Sequence, residues 1–246
     1  MTDPTDSTGP VTPARPGAGE PLSAGPVTGE PRDARLVDAW RELVATARRT
    51  ADEGLVVGTS GNVSVRVGDL VLVTPSGVPY ERLGPDDLIA VGLDGRQVLG
   101  GLTPTSELPM HLAVYRATTA TAVVHTHAVH ATAVSTLVPE LPLVHYMAAA
   151  LGGPVRVAPY ALYGSEELAA HMMDALRDRT ACLLRNHGTV AYGASLAQAY
   201  DRTAQLEWMC RLWLTASALP GRTPTLLSEE QVGEVAAKLR GYGQRG

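Results

Sequence analysis

The stretch 121–127, TAVVHTH, constrains this chain more than any other. Small and β-branched apolar residues dominate it, which predicts a short buried strand. Side chains two apart on a strand point to the same face. His125 and His127 therefore project together from an otherwise apolar element. Two adjacent imidazoles in such a setting are either satisfied separately by backbone groups or share a cation. Sharing a cation requires further ligands, which the rest of the chain must supply.

The bulk properties narrow the alternatives. A chain of 246 residues, 45% hydrophobic and with a mean hydropathy of +0.02, suits a globular domain with a sizeable core. A net charge of −5 and a pI near 5.8 argue against a nucleic-acid or membrane-surface role. No apolar run is long enough to span a bilayer. Cys182 and Cys210 sit in apolar surroundings without C-x-x-C spacing, and read as reduced core residues of a cytoplasmic protein. Lys238 is the sole lysine, near the C-terminus and outside any Gly-rich loop. That disfavours both Schiff-base chemistry and a Walker-type phosphate site.

Residues 1–32 are rich in Pro, Gly, Ser and Thr and lack the apolar core of a signal peptide. They are expected to form a disordered tail ahead of one domain spanning 33–246. Within that domain the periodicity predicts helices over 33–52, from about 105 to 117, 129–137, 165–177, 195–218 and 228–239. Strands are predicted at 63–67, 70–74, 87–93, 96–98, 121–127, 181–184 and 189–192, with short extended pieces at 143–146 and 155–159. Helices and strands interleave, yet several connections, such as Gly68-Asp69 and Asp94-Gly95, are hairpin turns. The expected fold is α/β: a single three-layer domain with a central mixed, largely antiparallel sheet covered by helices.

A catalytic zinc commonly takes three protein ligands and leaves a position open. His187, at a strand edge beside Gly188, is the third candidate after His125 and His127. His111 and His171 fall on helices and are expected to face solvent or a neighbouring element. His130 could orient a ligand through its ring N–H. Glu107, in the first turn of a helix that Thr105 or Ser106 can cap, is the candidate general base. Thr105 and Ser106 add hydroxyls and free backbone N–H groups at a helix N-terminus, a ready anion site. Ser60-Gly61-Asn62 and Ser76-Gly77 form similar small-polar turns. Three such turns could cradle a phosphate without lysine, and with a base and three histidines they describe chemistry on a sugar phosphate.

These residues lie in motifs that resemble the class II aldolase/adducin family: TSGNVSVR, TPSGVPYERL, the T-S-E...H stretch at 105–111, VVHTHAVHATAVS, VHYMAAALGG and APYALYGS. The resemblance covers about 35–242. It implies a zinc ion held by His125, His127 and His187, with Glu107 close enough to ligate it. It also implies a phosphate pocket of Gly61, Asn62, Ser76, Gly77, Thr105 and Ser106. Tyr146 matches a tyrosine that handles the proton on the aldehyde oxygen, and Tyr242 one that helps close the site. The implied assembly is a homotetramer with interfacial active sites. The implied reaction is retro-aldol cleavage of a ketose 1-phosphate, L-fuculose 1-phosphate or a close relative, to dihydroxyacetone phosphate and a short aldehyde.

Some positions depart from the family pattern. Asn186 stands where a further histidine is usual before His187, Tyr163 replaces a phenylalanine, and the 152–158 connection is about one residue shorter. Related members are pentulose-phosphate 4-epimerases and methylthioribulose-phosphate dehydratases. The epimerases usually carry Asp at the position of Glu107 and lack the His145-Tyr146-Met147 match, which favours the aldolase. A non-enzymatic adducin-like interaction domain would have lost the metal ligands that this chain retains.

Overall fold

A computed structural model describes residues 33–241; the tail expected at 1–32 and Tyr242 lie outside the described residues. The helices are α1 (Ala34–Asp52), α2 (Leu108–Ala117), α3 (Val129–Leu137), α4 (Glu166–Ala175), α5 (Leu196–Ser217) and α6 (Glu229–Leu239). The strands are β1 (Asn62–Val67), β2 (Leu70–Val73), β3 (Ala90–Gly92), β4 (Gln97–Leu99), β5 (Ala122–Thr126), β6 (Glu140–Leu141), β7 (Val155–Ala158), β8 (Ala181–Leu184) and β9 (Gly188–Gly193). They form one sheet in the order β4-β3-β2-β1-β5-β9-β8-β7-β6. Neighbours are antiparallel except β7 and β8, so the sheet is mixed and largely antiparallel.

The strands read as near-continuous apolar runs because both faces of the sheet are covered. Val71 and Val73 of β2 pack with Val123 of β5 under α2 and α4. Their neighbours Leu72 and Val124 point the other way, onto α1. Leu183 and Ala191 face α3 and α5 in the same alternating manner. Capping fixes several helix starts where the sequence expects them. Asp33 accepts from the Arg35 N–H, Ser165 from Leu168 and Ser195 from Gln198, while Ser228 and Gln231 form a capping box.

Segment 143–146, expected to be extended, joins no strand: the short β6 precedes it, and a 3₁₀ turn, Tyr146–Leu151, begins at its end. Pro139 and Pro142 flank β6, and proline cannot donate to a ladder. One local expectation fails, at α2, which starts at Leu108 without a side-chain cap. The turn before it is stitched to the end of β2 instead. The Thr105 N–H donates to Thr74 O at 3.1 Å and the Ser76 N–H to Thr103 O at 3.0 Å. This pairing zips two of the small-polar turns together and leaves Glu107, at the boundary position, aimed at β5.

Candidate active site

The site is built where the centre of the sheet meets the start of α2. On β5, His125 lies opposite Asn62 of β1 and Val190 of β9. Its side chain shares the face of Val123, beneath α2. His127 follows two positions on, just past the strand end. His187 arrives from the β8–β9 turn, which makes an unusually close approach to β5. A Cβ at Gly188 would collide with the carbonyl oxygen of Thr126, so only glycine fits there. Asn186 precedes His187 in a left-handed conformation, φ 55°, that asparagine tolerates better than most residues.

The three imidazoles and Glu107 converge. Ring centroids are 5.0 Å apart for His125–His127, 4.9 Å for His125–His187 and 4.8 Å for His127–His187. His125 Nε2 lies 3.0 Å from Glu107 Oε2, and His187 Nε2 lies 3.2 Å from Glu107 Oε1. His127 Nε2 is 3.1 Å from His125 Nε2. One donor atom from each of these four residues falls within 4.8 Å of the others. His125 Nδ1 sits 2.8 Å from the carbonyl oxygen of Thr189, which orients the ring and turns Nε2 inward.

The electrostatics fit a cation at this point. Burial of Glu107 favours the neutral acid, but the His125 and His187 rings outweigh it and hold the carboxyl well below the usual carboxylate range. Burial likewise opposes charge on His125, and the facing carboxylate overcomes it and raises the pKa. Burial and the two other rings push His127 down to about 4, so it presents a neutral lone pair. Glu107 Oε1 is buried and accepts no hydrogen bond. Four Lewis-basic atoms aimed at one another are reconciled only by positive charge between them. A three-nitrogen, one-carboxylate donor set suits a divalent transition ion such as zinc.

A cavity of about 390 Å³ opens over this cluster. All six residues expected to bind phosphate, Gly61, Asn62, Ser76, Gly77, Thr105 and Ser106, line it beside Glu107, His127 and His187. At Gly61 the backbone is left-handed, φ 78°, and a Cβ would meet the His125 carbonyl oxygen at 2.8 Å; the turn thus sits directly on the histidine-bearing strand β5. The cavity also takes in Tyr160, Tyr163 and Asn186. Tyr146 does not line it: half-exposed, it packs on the His145 ring at 4.3 Å.

Of the remaining histidines, His130 differs from expectation and His111 takes the second of the two surroundings expected of it, a neighbouring element. His130 does not orient a ligand; its Nδ1 lies 2.6 Å from Glu207 Oε1, and Glu207 also accepts the His130 and Ala131 N–H groups. Ala128 cannot cap α3, so this carboxylate from α5 does so. His111 does not face solvent. It is fully buried beneath β1, its ring bonded to Asn62 and Ser64. The signal was present: Glu107 and His111 are four apart, the spacing of neighbours on one helical face.

The family model for the class II aldolase and adducin N-terminal domain matches residues 41–214. The chain is 42% identical over 207 residues to an L-fuculose phosphate aldolase of Escherichia coli O6:H1, covering 83% of this chain and 95% of that protein. It is 36% identical to a 5-deoxy-D-ribulose 1-phosphate aldolase of Bacillus thuringiensis serovar kurstaki, covering 83% and 96%. A solved L-fuculose 1-phosphate aldolase superposes with a TM-score of 0.79 at 33% identity, covering 82% of this chain and 96% of the other. Fold, site and relatives define a metal-dependent aldolase. The chain belongs to the class II aldolase and adducin family.

Proposed function

We propose that the chain is a zinc-dependent aldolase that cleaves a ketose 1-phosphate, L-fuculose 1-phosphate or a close relative, to dihydroxyacetone phosphate and a short aldehyde. The observation that carries this reading is the convergence of Glu107 with three histidines on the floor of a cavity rimmed by small-polar turns. His125, His127 and His187 would hold the ion, with Glu107 as a further ligand at rest. When bound, the ion supplies Lewis-acid stabilisation for the negative charge left on the ketose oxygens as the C3–C4 bond breaks.

The remaining work falls to the chain. Gly61, Asn62, Ser76, Gly77, Thr105 and Ser106 bind the phosphate through hydroxyl, amide and backbone N–H donors, aided by the N-terminus of α2. Glu107 Oε2 is tied by Asn62 Nδ2 at 3.0 Å, which leaves Oε1 to carry the proton to and from C3. Tyr146 would hydrogen-bond the C4 oxygen and handle its proton as the aldehyde departs. Because Tyr146 is half-exposed and absent from the lining of its own cavity, we assign it to a neighbouring subunit's site in a homotetramer. Tyr242 is proposed to help close the same site. Tyr163, on the cavity wall, is placed to meet the aldehyde end of the substrate.

The relatives named for L-fuculose phosphate and for 5-deoxy-D-ribulose 1-phosphate differ in the aldehyde portion, so both substrates belong in the test. Release of dihydroxyacetone phosphate is followed with a coupling dehydrogenase, with and without chelator. Chelator-sensitive release, restored by zinc, is expected from at least one ketose 1-phosphate. Conversion of a pentulose 5-phosphate to its epimer, without release, would overturn the aldolase assignment.

A further inference from the structure

Behind Glu107 runs a buried chain of polar side chains of which the proposed mechanism uses only the first, Asn62. Asn62 and Ser64 alternate onto one face of β1, and His111 and Tyr115, one turn apart on α2, pack over them. Asn62 Nδ2 lies 3.0 Å from Glu107 Oε2, and Asn62 Oδ1 lies 2.5 Å from His111 Nε2. His111 Nδ1 lies 2.6 Å from Ser64 Oγ, which is 2.7 Å from the Tyr115 hydroxyl. None of the five residues exceeds 5% exposure, and Ser64 and His111 are at 0%.

The direction of every hydrogen bond follows from one end. An ionised carboxylate only accepts, so Asn62 must turn its NH₂ group toward Glu107. Its carbonyl oxygen then faces His111, whose Nε2 must carry the proton. Burial holds the ring neutral, with a pKa near 3, so Nδ1 is a bare acceptor for the Ser64 hydroxyl. Ser64 then accepts from Tyr115. A flipped Asn62 would set its carbonyl against the carboxylate, and the His111 Nε2–H is what forbids the flip.

We propose that His111 is a positioning residue: through its Nε2–H it fixes the Asn62 amide, which ties down Glu107 Oε2 and leaves Oε1 as the proton-carrying oxygen. The role rests on Glu107 acting as the base in the aldolase reading. It makes Asn62 serve two ends at once, the phosphate pocket through its place in the cavity wall and the base through Nδ2.

Histidine chemistry supplies a selective test, because a glutamine amide nitrogen falls near the place of Nε2 and an asparagine amide near that of Nδ1. His111→Asn is expected to lower kcat by about 10- to 100-fold with zinc content unchanged and a much smaller rise in KM for the ketose phosphate, since Asn62 also lines the phosphate pocket. His111→Gln should recover most of that loss. Equal damage by the two variants, or a loss carried by KM, would overturn the positioning role and leave His111 as packing. A second readout needs no substrate: two-bond ¹⁵N–¹H correlation of the imidazole in the metal-free protein should find the proton of His111 on Nε2. A proton on Nδ1 overturns the proposal. If wild-type protein releases no dihydroxyacetone phosphate from any ketose 1-phosphate, the aldolase reading falls, while the tautomer still decides the orientation of the relay.

Discussion

The floor and the rim of the cavity are built by opposite means. On the floor, His125, Glu107, Asn62 and His111 are buried and held by directional hydrogen bonds between strands and a helix. On the rim, Ser60, Ser76 and Ser106 sit on turns, and Tyr160 and Tyr163 are 61% and 63% exposed. Buried polar groups are costly unless each is satisfied, so the floor tolerates few alternatives. Exposed turn residues carry no such penalty and can vary with the substrate. Under the proposed function, chemistry falls to the floor and recognition to the rim.

That division predicts a descending series of effects. His125→Ala should remove the metal and reduce activity to background, read by metal analysis of the purified protein alongside the release assay. Full activity with no bound ion would break the comparison at its base. Glu107→Gln should cost about a thousandfold in kcat while the metal stays bound. An unaltered rate would move the proton transfer to another group. At the rim, Ser106→Ala should raise KM about tenfold and barely change kcat, since one hydrogen bond to the phosphate anion is lost. A kcat loss matching that of Glu107→Gln would erase the distinction between the two regions. Tyr163→Phe should shift the ratio of kcat/KM between two ketose 1-phosphates by only a few-fold.

The smallest effect concerns stability. Burial, and the neighbouring His125, depress the pKa of His111 to about 3, from 6.5 for an exposed imidazole. As pH falls, the unfolded chain therefore takes up this proton before the folded one does. The stability contributed by a neutral His111 is present above about pH 6.5 and is lost as pH falls from there toward 3. Urea titrations of metal-free protein should show a shallower acid loss for His111→Gln than for wild type; parallel curves would count against the burial of a neutral ring.

Much of this was legible in the chain itself. The sheet was readable because β2, β5 and β8 are apolar on both faces, and such runs have few other homes. The histidine cluster of the floor was readable from an H-x-H strand, and the turns of the rim from their small polar residues. The surroundings of His111 stayed open between solvent and a neighbouring element, because helical spacing tells which residues share a face but not what that face meets; here it meets Asn62 and Ser64 across 49 and 47 positions of chain. His130 had a nearer use, as the ring that Glu207 holds while capping α3.

The close approach of Gly188 to Thr126 also bears on the order in which the molecule assembles. His125 and the Thr189 carbonyl that orients it are 64 positions apart, and they meet only when β5 and β9 zip at the centre of the sheet. Loop closure over that span is slow compared with hairpin or helix formation. The ligand set therefore does not exist in a chain that has formed only its local structure. Metal affinity during refolding would serve as a late clock, starting when the central strands pair.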